Sequence, residues 1–482
     1  MSTPTAPKKP NLVSVTTINR DGSRFFLHPS DVSGWFTTAR RIFAVLLLAI
    51  YILLPWIPIN GHPAVFFDVA NGRFHVLGLT FLTQDLWLLF FLLSGFGFAL
   101  IYITSLFGRL WCGWACPYTV FLEHVFRRIE RWIDGDSVAR RQLDAAPWDA
   151  QKIARRVLKH GLFFLCAALI AHLFLSYFVS LPKLYEYMRS NPTDHLRSFG
   201  VVAFLTLALY FCFAWFREQF CIILCPYGRI QSALTDDDTL IIGYDDTRGE
   251  PRGKKKAGQV GDCIDCRRCV QVCPTGIDIR NGLQMECIGC SNCIDACDDI
   301  MLKIGRPKGL VRYDSLNGLS GKQHRYLRPR TLLYTLLFLV GVGVLTHFLS
   351  RLQPVYIAVT RMAGPVHFVD AATVRNQFKV QYITKSNKET TFHIAVKNAP
   401  TGMRWSPNAK EPIVVAGQSE REMPLVVSIE RAAYRGPMEL VLQVTAEPGG
   451  TVVEKNVEFL GPDLRLMPDV VPDPVPPKET HP

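Results

Sequence analysis

Fourteen cysteines fall between Cys112 and Cys297, and none lies in the last 185 residues. Eight of them form two strings with one spacing, Cys263-x2-Cys266-x2-Cys269-x3-Cys273-Pro274 and Cys287-x2-Cys290-x2-Cys293-x3-Cys297. Three thiols two residues apart let one tight loop wrap three corners of an iron–sulfur cube, while the fourth, on a short helical turn, reaches a second cube. By that rule Cys263, Cys266, Cys269 and Cys297 ligate one [4Fe-4S] cluster, and Cys287, Cys290, Cys293 and Cys273 the other. Zinc also accepts CxxC pairs, but four ligands complete a tetrahedral site and leave the third evenly spaced cysteine without a use. Two cubes close together pass electrons one at a time; a structural or sensing pair is the alternative. Arg267, Arg268 and the run Lys254-Lys255-Lys256 around the first string read as a solvated basic flank or, more sharply, as a docking face for an acidic electron donor.

Four further cysteines make a second kind of site, in Cys112-x3-Cys116-Pro117 and Cys221-x3-Cys225-Pro226. Thiols at i and i+4 share one helix face, and the following proline kinks or ends the helix at the second cysteine. If the two motifs face each other, four thiols form a soft site suited to Cu(I), zinc or a redox couple. A cysteine in an apolar helix is otherwise a small apolar residue, which is the reading for the solitary Cys166 and Cys212. Chance does not repeat both spacing and proline. His172 and His347 lie in apolar stretches and His124 just past the first CxxxCP, so each is a candidate ligand, although no spacing pairs them.

The elements that must hold these thiols are membrane-like. The chain of 482 residues is 49% hydrophobic and 20% charged, which excludes disordered and low-complexity classes. Five apolar stretches are long enough to cross a bilayer: Ile42–Ile59, Leu86–Phe107, Gly161–Leu181, Gly200–Phe216 and Thr331–Leu349. Lys and Arg between them count 6, 1, 10, 3 and 18 in order, the positive-inside alternation with the N-terminus in the cytoplasm. The net charge of +12 therefore reports orientation and calls for no nucleic acid. The expected organisation is a cytoplasmic tail over 1–41 and four transmembrane helices with the CxxxCP motifs over 42–216. A cytoplasmic loop with a bacterial-type 2[4Fe-4S] ferredoxin insert covers 217–330, followed by a fifth transmembrane helix over 331–350. Both cluster strings and both CxxxCP motifs then lie on the cytoplasmic side, where the reducing compartment disfavours disulfides.

Residues 351–465 fall on the other side, in the periplasm of a bacterium, and have a different texture. Runs such as Phe378–Ile383, Phe392–Val396, Leu425–Ile429, Leu440–Val444 and Val453–Phe459 alternate apolar and polar residues between turn signals. Period-two alternation at short spacing predicts an antiparallel β-sandwich held by its core alone. The Pro-rich end, 466–482, reads as a disordered tail.

Taken together these strings resemble the membrane-bound polyferredoxins known as cytochrome c oxidase accessory protein CcoG, FixG or RdxA. The resemblance runs through residues 55–61, Gln84-Asp85, 108–117, 220–253, both cluster strings and 309–313, and so covers most of 35–460. It implies that the C-terminal sandwich is immunoglobulin-like. It also implies a multi-pass inner-membrane protein that matures a high-affinity haem–copper oxidase by reducing Cu(II) to Cu(I). Cys112, Cys116, Cys221 and Cys225 would then be the redox- or copper-active cysteines, fed by the two clusters. Copper ions would be the substrate, oxidase assembly factors or copper chaperones the partners, and the electron donor goes unnamed. Tyr118 departs from the family, where glutamine commonly follows the first CP. Two other readings stand beside this one: a quinol-oxidising electron-transfer subunit, and a non-catalytic assembly scaffold or redox sensor.

Overall fold

The computed structural model describes residues 17, 25–253, 261–323, 325, 327–407, 411–463 and 465. The lysine run at 254–256, the Pro-rich tail and most of the N-terminal tail lie outside the described residues. The chain divides into two compact units, 1–346 and 347–482.

In the first unit lie helices long and apolar enough to cross a membrane: Trp35–Leu53, Leu86–Phe107, Ala150–Leu175 and Leu196–Phe216; a fifth, Pro329–Ser350, runs through the boundary between units. Their bounds shift from the apolar runs for identifiable reasons. The first begins at Trp35 rather than Ile42 because Asp295 caps it from another element, accepting from Thr37 N at 2.7 Å and Phe36 N at 3.3 Å. It stops at Leu53, two residues before Pro55. The third begins at Ala150, where Asp149 accepts from Lys152 N at 2.7 Å, so its first turns are polar. A three-stranded antiparallel meander, Val65–Asp68, Arg73–Val76 and Leu79–Leu82, joins the first two apolar helices. Strands of four residues carry too little alternation to be read from sequence.

The ferredoxin part packs the helix Asn292–Lys303 and a two-stranded sheet, Ile241–Tyr244 with Val311–Asp314, around one apolar core that includes Ile242, Ile279, Ile294, Met301 and Leu310. It is tied to the first apolar helix by the Asp295 cap and by Arg40, whose Nη1 donates to the Cys290 carbonyl at 3.0 Å and to Asn292 Oδ1 at 2.9 Å.

The second unit is the two-sheet sandwich expected. One sheet orders Met403–Ser406, Glu420–Glu430, Thr373–Thr384 and Val355–Arg361, with Phe368–Val369 on its margin; the other orders Ile413–Val415, Thr390–Val396, Met438–Glu447 and Thr451–Phe459. All pairings are antiparallel. Inward residues alternate along each strand and close a core around Phe378, Tyr382, Phe392, Leu425 and Phe459. Buried Asn376 is satisfied by donating to the Leu460 carbonyl at 2.6 Å and accepting from Leu460 N at 3.0 Å.

Candidate functional site

Both cluster strings wind in the same way. The second and fourth residues after the first cysteine are left-handed in each, Asp265 and Arg267 in one loop, Gly289 and Ser291 in the other. That winding turns successive cysteines toward a common centre, at a steric cost for three residues that are not glycine. Two cavities result. One, of about 350 Å³, is lined by Cys263, Cys266, Cys269 and Cys297 with Tyr244, Met301 and Leu310. The other, of about 330 Å³, is lined by Cys273, Cys287, Cys290 and Cys293 with Ile242, Ile277 and Ile279. Each cavity therefore gathers the tetrad that the crossed ferredoxin rule pairs. Cys269 reaches the walls of both, so the two lie against each other.

The donor chemistry fits iron–sulfur clusters. Burial, reinforced by neighbouring thiols, pushes Cys287 and Cys297 up to about 12. Burial also pushes Cys269 up to about 12 and Cys290 to about 11. Thiolates in such a dry place need the positive charge of bound iron to hold them. Among the described residues no three Cys, His, Asp or Glu side chains close on a single metal ion.

The CxxxCP motifs break where the proline rule places the break, and only the shared i,i+4 face is lost. Their cysteines do not share the face of a continuous helix, because each helix breaks at the second cysteine. Helix Leu110–Trp114 ends before Cys116, which is extended (φ −60, ψ 121) ahead of helix Pro117–Phe121. A π-turn, Phe220–Leu224, ends before Cys225, extended likewise (φ −69, ψ 112) ahead of helix Pro226–Leu234. Proline disfavours helical geometry at the residue before it and is preorganised as the first residue of the next helix. Two more π-turns, Leu122–Phe126 and Cys212–Phe216, flank the same region.

The two motifs interlock. Arg109 Nη2 donates to the Gly228 carbonyl at 2.8 Å, and fully buried Gln231 donates to Cys112 Sγ at 3.3 Å. Tyr118, the departure from the family pattern, stacks on Phe220 at 4.3 Å, and its hydroxyl lies 2.6 Å from the Arg217 carbonyl and 3.0 Å from that of Cys212. It holds the end of the fourth apolar helix against the first motif. Burial raises the Cys112 thiol to about 11 against the pull of Gln231 and Arg109, and raises Cys221, with Cys116 and Cys112 adding to it. The four thiols are thus neighbours, yet no three of them converge on one point. His172 Nδ1 lies 2.7 Å from the Ala168 carbonyl of its own helix, and His124 lines an arginine-rich cavity, so neither belongs to the thiol group.

Sequence reasoning missed how closely the first motif sits on the second cluster loop. A Cβ on Gly113 would lie 2.6 Å from the Ile288 carbonyl oxygen and 2.9 Å from Cys290 N and Cα. Gly289, at φ +66, would place one 2.9 Å from the Arg109 carbonyl oxygen. Arg109 Nη1 also reaches the Cys287 carbonyl at 3.4 Å. The signal available was a glycine inside each motif, but its partner lies about 175 residues away in the chain. Because both contacts are with backbone, Gly113→Ala should force the motif off the loop and cost about 1–3 kcal/mol. The expected result is a lower temperature of cluster loss, read by visible absorbance, with the first cavity's iron retained; unchanged thermal behaviour would contradict the contact.

Family models match three segments: "4Fe-4S dicluster domain" over residues 216–316, "4Fe-4S binding domain" over 88–135, and "IG-like fold at C-terminal of FixG" over 345–462. The chain is 38% identical to Protein RdxA of Cereibacter sphaeroides over 397 residues, covering 79% of this chain and 84% of that one. It is 37% identical to Protein RdxB of the same organism, covering 76% and 81%. It is 34% identical to the nitrogen fixation protein FixG of Rhizobium meliloti, covering 78% and 79%.

Proposed function

The chain belongs to the FixG/RdxA family of iron–sulfur electron-transfer proteins, and from that premise we propose that it is a membrane oxidoreductase reducing Cu(II) to Cu(I) during assembly of a haem–copper cytochrome c oxidase. The helices Trp35–Leu53, Leu86–Phe107, Ala150–Leu175, Leu196–Phe216 and Pro329–Ser350 cross the bacterial inner membrane. By the charge alternation between them, the cluster loop is cytoplasmic and the immunoglobulin-like sandwich periplasmic. Cys263, Cys266, Cys269 and Cys297 hold one [4Fe-4S] cluster, and Cys287, Cys290, Cys293 and Cys273 the other; when bound, these groups supply one-electron carriage.

The observation that carries the reading is the backbone contact of Gly113 with Ile288 and Cys290, which seats the Cys112–Cys116 motif on the wall of the second cavity. Copper is substrate here. A Cu(II) ion taken by thiols of Cys112, Cys116, Cys221 and Cys225 displaces their protons to water, accepts one electron supplied by an external donor, and leaves as Cu(I). The thiols end reduced, so the step balances with the donor alone oxidised by one electron. Thiolate ligands favour Cu(I) over Cu(II) and so raise the driving force.

Full-length protein given an artificial donor should reduce Cu(II), monitored with a Cu(I)-specific chelator, and the double variant Cys112→Ser/Cys221→Ser should lose this while keeping its iron. Undiminished cupric activity in that variant would remove the motifs from the reaction. Cluster reduction by a quinol analogue, with no copper reduced, would replace copper by quinol as the relevant chemistry.

A further inference from the structure

A cavity of about 600 Å³ opens where the segment Pro29–Val32, the first turns of helix Trp35–Leu53 and residues 122–134 meet the ferredoxin part at Asn292. Six arginines line it, Arg40, Arg41, Arg127, Arg128, Arg131 and Arg140, against two carboxylates, Asp31 and Glu123. Those carboxylates are taken. Glu123 pairs with Arg127 and lies 3.9 Å from Arg40, and Asp31 pairs with Arg131. Arg140 is matched from behind by Glu130 at 3.4 Å. Arg128 has no ion pair or hydrogen bond among the described residues, and Arg41 reaches only the Val32 carbonyl at 3.4 Å.

The cavity continues into a larger one of about 970 Å³, which shares Arg41, Arg128 and Arg131 and adds Arg268 of the first cluster string and Asp299. Asp299 is paired with Lys303 at 2.6 Å and makes no ion pair with Arg41 or Arg128 among the described residues. The Nε atoms of Arg40 and Arg41 are buried with no partner. Burial, then Arg41 and Arg131, hold the Arg128 guanidinium below its ordinary value. His124, on the same wall, is pushed down to about 4 by burial and then Arg40, so at neutral pH it is uncharged and offers one N–H. Cations that outnumber the carboxylates in a half-buried space are costly unless a ligand supplies the missing charge.

We propose that this cavity binds a phosphoryl group, with the guanidinium forks of Arg41 and Arg128 taking its oxygens. Planar forks match tetrahedral oxyanions in pairs, and a dianion balances the two arginines that the chain leaves unmatched. The phosphoryl group has two sources of the same chemistry. One is the headgroup of an anionic phospholipid, since Arg40 and Arg41 stand in the first turns of a membrane-length helix. The other is the phosphate of a soluble cofactor such as flavin mononucleotide. The site is separate from the copper chemistry, and only the lipid source leans on the membrane reading above.

The test uses full-length protein in detergent. Inorganic phosphate should raise the wild-type melting temperature saturably, and Arg41→Gln or Arg128→Gln should each weaken that half-saturation by about tenfold or more. Without phosphate both variants should be at least as thermostable as wild type, because each relieves like-charge crowding; this separates lost binding from lost folding. Native mass spectrometry that finds phosphatidylglycerol retained by wild type and released by the variants assigns the headgroup. Competition of flavin mononucleotide with phosphate, with no retained lipid, assigns the soluble source. A melting temperature indifferent to phosphate, or an equal response in the variants, overturns the proposal.

Discussion

Cys273→Ala should remove one cluster and leave the other, and the cluster lost should be that of the second string, not of the string that contains Cys273. By sequence adjacency Cys273 belongs with Cys263, Cys266 and Cys269; in space it lines the cavity of Cys287, Cys290 and Cys293. The turn that carries it across is fixed from outside, since Arg127 Nη2 donates to the Pro274 carbonyl at 3.0 Å. The mirror variant, Cys297→Ala, should empty the first cavity and spare the second. Each variant should therefore retain about four of the eight iron atoms expected per chain. The two retained signals should differ in the electron paramagnetic resonance of the reduced protein. The decisive comparison is with Cys269→Ala, a first-cavity ligand. If Cys273→Ala and Cys269→Ala abolish the same signal, the crossed assignment fails. Because the first CxxxCP motif rests on the second cavity's loop, Cys273→Ala should also abolish cupric reduction.

What could be read from the chain, and what could not, divides by how far the partners lie apart in it. That each proposed cysteine tetrad lines one cavity was legible because spacing within a string is set by covalent geometry, and the crossing by the length of the x3 step. The sandwich strands were legible because alternation is local, and each of the runs from Phe378 to Phe459 falls within an observed strand. The helix breaks in the CxxxCP motifs were legible because proline acts on the residue before it, here the second cysteine of both motifs, and the same break undoes the i,i+4 sharing of one helix face. The start of the first helix was illegible because Asp295, its cap, is 258 residues away from Thr37. The arginine cavity and the Gly113 contact were hidden for the same reason. Its six arginines had been counted only as orientation charge, and nothing in a count separates an arginine paired with Glu123 from one left open.

The same counting concealed a buried ion cluster. Glu130 accepts from Arg217 through both oxygens at 3.2 Å, with Arg140 at 3.4 Å and Lys159 at 3.9 Å, and all four side chains are buried. Burial by itself would raise this carboxyl; Arg217, Lys159 and Arg140 overcome it and hold it down at about 2. Lys159 keeps a second partner in Asp134 at 2.6 Å, but among the described residues Arg217 has no other close carboxylate than Glu218 at 3.8 Å. Glu130→Ala would strand these cations in a dry site, which costs about 3–5 kcal/mol where a buried pair is broken from one side. The exposed pair Lys303–Asp299 is the control, and Asp299→Ala should change stability by about 0.5 kcal/mol or less. A carboxyl depressed on folding stabilises the protein fully above its unfolded value, near 4.5, and loses that contribution as pH falls through about 2. Acid destabilisation of the wild type should therefore be steep between those limits and shallower in Glu130→Ala, measured as the temperature at which cluster absorbance is half lost at each pH. Parallel curves for the two proteins would place the acid sensitivity elsewhere. Glu130→Gln, which keeps one acceptor oxygen and turns the other into an NH2 donor facing the guanidinium groups, should fall between them at neutral pH, because the arginine forks keep one acceptor but no longer a counterion.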